Sequence, residues 1–381
     1  MKVFLRVKTV IKVTLLSFAC VTLLSACQGL ATKPSDKFDD RSVSFLVYGF
    51  KLHLQGTQRI EASWIDEHRF IDRTLDVYEN KLGKPLDDRP MSADKDKVFY
   101  GIVNSLYGLA PQGCDQFDAE LQGELLNVLM ECDLGEGFMI LNVLLSYRDG
   151  TPKLVDIKPL SNATWYSELI GLIMADPMDL TKIKSAMAFI REVKAGQVDY
   201  AKYYAMNAYI KQNKMLAMNL NSVTSDKNIQ KEVSLALEEL CPQDPYCALS
   251  VLDYYVDAKQ MHKVIEKLEI AKQHFPRSHQ VNTLLAGIYL LMDLPKQALA
   301  TGQDAIWIKP SAHEGYMLVL NAAAVLEDEE QASIAAAALQ KGFNLGREQI
   351  TTEYNKRLLA KPEFWQKVQQ QAVQTAQADE S

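Results

Sequence analysis

Three prolines set the frame for this chain: Pro242, Pro276 and Pro310 stand at equal intervals, twice running. From Asp179 onward amphipathic helical stretches follow one another, broken by short turns at Gly196, Pro242 to Pro245, Pro276, Pro295 and Pro310. A fixed period of about 34 residues means that one supersecondary unit is being repeated. A single helix pair cannot bury both of its faces, so copies must stack, share a continuous core and end in polar caps. This half of the chain is therefore expected to be all-α.

The residues between the prolines resemble those of the tetratricopeptide (TPR) repeat, a helix-turn-helix unit ending in Pro. Counting back from Pro310, the family's Leu, small, Tyr, Ala and Ala positions are Leu285, Ala286, Tyr289, Ala298 and Ala305. The preceding copy keeps Tyr255, Leu268, Ala271 and Pro276 but has Leu252 at the small position, and the next keeps Ala332 and Ala336 but replaces Pro with Asn344. The resemblance implies TPR-like repeats over residues 245–344, divergent helical pairs over 176–244, and a C-terminal helical cap over 345–376 that contains Phe364 and Trp365. The alanines and tyrosines themselves read as packing, small residues letting helices approach and the aromatic filling the gap beside them.

Partner binding in this family uses the concave face of a superhelix, at the second, fifth, ninth and twelfth positions of each first helix. Here those positions are Tyr246, Leu249, Asp253 and Val256; Gln280, Thr283, Gly287 and Leu290; and Glu314, Met317, Asn321 and Ala324. Family members that grip a C-terminal carboxylate use Lys, Arg and Asn there. This chain offers Asp253 and Glu314 with no Lys or Arg, so the resemblance points to an apolar or helical segment of a protein partner.

The N-terminus fixes a compartment. Lys2, Arg6, Lys8 and Lys12 precede the apolar run Val13 to Ala26. That run falls short of the roughly 20 apolar residues that a membrane-spanning helix needs. It ends in Leu24-Ser25-Ala26-Cys27, which resembles the bacterial lipobox at every position. That resemblance implies a signal peptide over residues 1–26 and a Cys27 that is acylated and becomes the new N-terminus. Several acyl chains make such an anchor effectively permanent. Gln28, where Asp would retain the protein at the inner membrane, implies the outer membrane, facing the periplasm. Residues 28–42, polar and rich in Lys, Asp, Ser and Pro, read as a tether reaching at most about 50 Å.

Removing residues 1–26 leaves 37 basic against 48 acidic residues, a net charge of −11. An acidic chain without clusters of Lys and Arg repels the phosphate backbone, so no nucleic-acid partner is expected. At 48% hydrophobic residues, there is enough apolar material for two or three packed units.

Residues 43–175 read as an α+β domain, preceding the all-α half. Helical periodicity runs over Asp66 to Leu82 and Asp94 to Leu109, and then the period changes. Phe138 to Tyr147 and Lys153 to Leu160 are partly alternating apolar runs joined by Arg148-Asp149-Gly150-Thr151-Pro152, a hairpin signal. Ser161-Asn162 then cap a helix over Ala163 to Met174. Four cysteines remain in the mature chain. Cys241 and Cys247 bracket a turn-rich loop that can close a small ring, which leaves Cys114 with Cys132 as a second bridge. The alternative is four buried thiols.

The chain contains no GxGxxG, GxxxxGK[ST], HExxH, GxSxG or EF-hand loop, and no catalytic residue or cofactor is expected. Ser92-Ala93-Asp94-Lys95 has Ser-x-x-Lys spacing, but no Ser-Asp-Asn or Lys-Thr-Gly accompanies it, and Ser92 reads as a helix N-cap. Asp156, among β-branched residues, reads as the solvent-facing member of an alternating strand. His53, His68, His262, His274, His279 and His313 show no i, i+4 pairing, so no metal site is expected. The leading expectation is a lipid-anchored scaffold for an envelope protein. The competing one is a ligand-binding or enzymatic α+β domain, with a pocket near Tyr147 and Asp156 and the repeats as its scaffolding.

Overall fold

In the computed structural model, which describes residues 40–83, 98–110, 112–135, 137–148, 150–159, 164–175 and 177–379, the chain divides into two units. One holds the residues up to Ile157 together with Tyr166–Gly171; the other holds Lys158–Trp165 and Leu172 onward. The lipobox, the tether up to residue 39, Ser92 to Lys95 and the Ser161-Asn162 cap lie outside the described residues.

The described residues of the first unit begin with helix α1 (Asp40–Leu54), so the last residues of the expected tether are helical. Leu46, Val47, Phe50 and Leu54 recur at helical spacing and are buried. After a short 3-10 turn (Ala62–Trp64), Asp66 caps α2 (Glu67–Leu82) by accepting from the Arg69 N–H at 3.3 Å. Helix α3 (Val98–Ser105) packs on α2 through Phe70 and Phe99, stacked with ring centroids 4.4 Å apart.

Four antiparallel strands follow: β1 (Cys114–Gln122), β2 (Leu125–Asp133), β3 (Phe138–Arg148) and β4 (Thr151–Pro159), in the order β1-β2-β3-β4. The sequence expectation contained the second hairpin and missed the first. The reason is visible in β1: five of its nine residues are acidic or amide side chains, and of the nine only Cys114 is buried, so the short alternation Phe117, Ala119 and Leu121 marks no core face. Pairing with β2 specifies this strand, through Cys114 opposite Cys132 and Ala119 opposite Val128, with a register shift between Gln116 and Asp118. By contrast β3 and β4 are buried on both faces. One face packs on α1 and the segment after it, where Met130 of β2 with Val143, Leu145 and Leu154 meet Leu46, Val47, Phe50 and Ile60. Helix α4 (Tyr166–Ala175) gives its first six residues to this unit, and Gly171 lies so close to Thr74 and Val77 that a Cβ would stand 2.5 Å from the Thr74 carbonyl oxygen.

The second unit is helical among its described residues beyond Ala175. Helices α5 (Pro177–Lys194) and α6 (Tyr200–Gln212) lead into α7 (Lys214–Val223) and α8 (Lys227–Leu240). Then come α9 (Pro245–Ser250) and α10 (Leu252–Asp257), α11 (Met261–His274), α12 (His279–Leu291), α13 (Pro295–Ile308), α14 (His313–Val325) and α15 (Glu329–Gly342). First helices end at Val223, Asp257, Leu291 and Val325, and second helices begin at Lys227, Met261, Pro295 and Glu329, both series keeping the interval of the three prolines. These are TPR-like helix pairs.

The register extends the repeats one copy upstream of the boundary that the sequence placed at residue 245. The signature is absent there because the slot of Tyr255 and Tyr289 is taken by Asn221, which is buried and donates to the Ser250 carbonyl at 2.6 Å while accepting from Ser234 at 3.1 Å. A hydrogen-bonded Asn fills a place that sequence comparison reserves for an aromatic. Downstream, Arg347 and Leu359 mark where a fifth first helix would start and end. That slot holds two short helices, α16 (Arg347–Ile350) and α17 (Lys356–Leu359), and α18 (Pro362–Asp379) packs on α15 behind them. Ile350, Leu358, Leu359, Phe364 and Val368 close the last core against Ala332, Ala336 and Leu339. Only part of the expected cap is one continuous helix.

Candidate interaction surface

In the first unit, Asp156 is buried rather than solvent-facing, because β4 is covered on both faces. Its carboxylate accepts from Ser167 Oγ at 2.5 Å, the Ser167 N–H at 3.3 Å and Arg73 Nε at 3.2 Å. Burial pushes its pKa up; Ser167 and then Arg73 oppose that shift without cancelling it. A second buried carboxylate, Asp66, accepts from Ser146 Oγ at 2.7 Å and Arg148 Nη1 at 3.2 Å. The Tyr147 hydroxyl donates to the Gly150 carbonyl across the hairpin turn at 2.9 Å. The space between α1 and the sheet is filled by side chains and admits no water molecule. Asp66 and Asp156 tie strands to helices, and among the described residues the groups near Tyr147 and Asp156 are engaged in these bonds, which counts against the ligand-pocket reading.

Four cysteines form the bridges Cys114–Cys132 and Cys241–Cys247. The first staples the edge strand β1 to β2 across a paired position. The second joins the end of α8 to the start of α9, where two repeat copies meet. Asp244 caps that start by accepting from the N–H groups of Tyr246 at 2.9 Å and Cys247 at 3.2 Å. Although burial pushes the Asp244 pKa up, Lys214 at 2.7 Å brings it below the usual carboxylate value.

The first helices of neighbouring copies lie beside one another, α7 with α9 and α12 with α14. The residues expected to line their common face divide into two sets. Tyr246, Leu249 and Asn321 are buried, which corrects the expectation that they face a partner. Tyr246 packs edge-on against Phe275, with ring centroids 5.4 Å apart. Asn321 is 7% exposed and accepts from Thr352 Oγ1 at 2.6 Å and Asn355 Nδ2 at 2.8 Å, so the chain's own C-terminal segment occupies this end of the row. Met317 is partly buried against the same terminal core.

Asp253 and Glu314 are exposed, while Gln280 and Thr283 are partly so. Around Glu314 the geometry joins two copies: its carboxylate lies 4.0 Å from Nε2 of His279, on the preceding first helix, and 3.6 Å from Nδ1 of His313. Thr283 donates to the His279 carbonyl at 2.7 Å, one turn along. This polar row over α12 and α14, together with Asp253 on α10, belongs to the part of the expected surface that remains accessible. Its two histidines carry no metal-type spacing, but they stand one full repeat apart, each at the start of a first helix, a signal the repeat period contains. Among the described residues no group of three or more His, Cys, Asp or Glu is arranged to hold a metal ion.

No protein family and no curated protein matches the chain. Among solved structures, an aspartate-to-lysine mutant of MamA is 15% identical, with a TM-score of 0.33 over 44% of this chain and 99% of its own. A second MamA structure, AMB-1, is 14% identical with a TM-score of 0.35, covering 48% of this chain and 99% of its own. Values this low bear no argument, and the description of the repeats rests on this chain's own register and packing.

Proposed function

We propose that this protein is a lipid-anchored scaffold of the bacterial envelope. Cys27 holds it in the outer membrane, and its helix pairs form a superhelical surface that grips an apolar or helical segment of an envelope protein. The observation supporting this reading is the constant register of the first helices, which sets Gln280 and Glu314 at the same position of successive copies, with Thr283 beside them and Asp253 exposed on the preceding copy. Repetition of this kind builds an extended face from units too small to bind alone. Tethering beside the membrane raises the effective concentration for partners held there, so modest affinity suffices.

Photo-crosslinking residues placed at Gln280 and Glu314 in cells test the reading. One defined protein adduct is expected from those positions, and none from Trp307 or Ile334, which are exposed on second helices. Equal labelling from both faces would remove the first-helix surface from the mechanism. Mass analysis of the N-terminal peptide tests the anchor separately, with acylated Cys27 expected.

A further inference from the structure

Helix α1 has an aromatic side that the hydrophobic core does not use. While Leu46, Val47 and Phe50 turn inward, Phe45 and Tyr48 face solvent with 65% and 58% of their surface exposed. Trp64 completes the patch. Its ring lies on the backbone of Gly49, where any Cβ would stand 2.2 Å from Cζ3, and it tilts against Phe45 with centroids 5.4 Å apart. Glycine at 49 thus seats an indole on the outside of the helix, beside two exposed rings. Lys153 borders the patch, its Nζ donating to the Ser63 carbonyl at 2.5 Å.

We propose that Phe45, Tyr48 and Trp64 form a contact for the headgroup–acyl boundary of a phospholipid bilayer. The position of the patch in the chain identifies this occupant. Helix α1 begins at Asp40, so twelve residues separate it from Cys27. Twelve residues span at most about 40 Å. A lipid anchor at Cys27 therefore keeps α1, and with it the exposed rings, within reach of the membrane surface; the proposal rests on the anchor reading for that distance. Tyr and Trp rings, apolar in body and polar at one edge, suit the interface between hydrocarbon and water. Because the mature chain is acidic, attraction to anionic headgroups is not the driving force. The contact is apolar and belongs to zwitterionic lipid as well.

Hydroxyl-radical footprinting of the mature chain, free and attached to phosphatidylcholine vesicles, tests the proposal. Attachment is through acylated Cys27 or, if the mass of the N-terminal peptide shows no acylation, through an N-terminal histidine tag on a chelating lipid. Failure of the anchor and failure of the patch are then separate results. Oxidation of Phe45, Tyr48 and Trp64 is expected to fall several-fold on vesicles, while that of Trp307, 73% exposed in the other unit, stays constant. In the F45S/Y48S double variant, Trp64 should regain its reactivity on vesicles. Equal oxidation on and off vesicles overturns the proposal. So does low reactivity already present in solution: at all concentrations it means that the chain itself covers the patch, and at high concentration alone it means a second copy does.

Discussion

The two units are held together by contacts of opposite range. In the sheet unit, Ile65 bridges Leu154, Asp66 reaches Ser146 and Arg148, and Arg73 reaches Asp156, all between residues far apart in sequence. In the helix-pair unit each helix packs mainly on the next, and each copy on its neighbours. Long-range contacts form together or not at all, whereas a linear stack yields copy by copy. The largest expected effect tests this difference. Phe50→Ala and Phe364→Ala each delete a fully buried ring, at a cost of about 3–5 kcal/mol. Hydrogen exchange should report loss of protection throughout Cys114–Pro159 in the first variant. In the second, the loss should stay within α15 to α18 and leave α8 and α11 protected. Uniform loosening of all the repeats would contradict the stack.

The disulfides sharpen the same contrast. Cys114–Cys132 closes 18 residues and Cys241–Cys247 closes 6. Chain-entropy reasoning assigns about 3 kcal/mol to the longer loop and about 2 kcal/mol to the shorter. Replacing the first pair by Ser should therefore lower the denaturant midpoint of the sheet unit more than replacing the second lowers that of the repeats. In the first case, β1 should also lose its exchange protection ahead of β2, since an exposed polar edge strand has little else to hold it. An equal effect of the two pairs would mean that β1 is kept in place by its ladder alone.

Acidification separates the units in another way. His53 is buried, with its Nε2 2.7 Å from the Val103 carbonyl and its Nδ1 accepting the Ile60 N–H at 3.1 Å. Since Nδ1 accepts, the ring is neutral with its proton on Nε2. Burial pushes the His53 pKa down, the Val103 carbonyl opposing and Arg59 adding to the shift. The unfolded chain takes up a proton near pH ~6.5 that the folded chain refuses, so stability is lost as pH falls below that value. The slope approaches about 1.4 kcal/mol per pH unit, the figure for one proton. Asp156 acts with the opposite sign: its raised pKa costs stability at neutral pH, and acidification through the folded value relieves that cost. Denaturant titrations from about pH 7 down to about pH 5, read in the sheet unit, should slope in the parent chain and lose the His53 component in H53N. An unchanged slope in that variant would assign the effect to another group.

What was legible in the sequence follows the range of the contacts. Helix pairs repeat their boundaries at a fixed interval, so Pro276, Ala298 and Tyr289 announce them locally. The copy with Asn221 in the aromatic slot was hidden because a side-chain hydrogen bond replaced the expected packing. The second hairpin was visible through the apolar runs flanking Gly150, but β1 was not, since its register comes from β2. Asp156 illustrates the limit best. Its neighbours Val155 and Ile157 signal a strand, yet nothing in the sequence states that Arg73 and Ser167 arrive to bury it. The repeat position marked Gln280, Thr283 and Glu314 as candidates but did not decide their exposure. Tyr246, Leu249 and Asn321 stood at equivalent positions, and neighbouring segments covered them.

The smallest expected effect concerns the turns that set the period. Lys259, Asp293 and Glu327, again one repeat apart, adopt left-handed backbone with φ of 57°, 57° and 60°. In each copy the following N–H reaches back to close the same turn, Gln260 to Tyr255, Leu294 to Tyr289 and Asp328 to Ala323, at 2.8–2.9 Å. Glycine is the residue that such a helix end favours, and a side chain held there costs about 1–2 kcal/mol. Asp293→Gly removes that cost but adds conformational entropy to the unfolded chain, so a net gain of about 1 kcal/mol or less is expected. A thermal melt of the repeats should move upward by a small amount, while the same exchange at Gln303, inside α13, should move it downward. Because the turn geometry is common to three copies, Lys259→Gly and Glu327→Gly should add to Asp293→Gly nearly in full. Strong non-additivity would mean that the turns are coupled through the stack, and that the repeats melt as one body like the sheet unit rather than copy by copy.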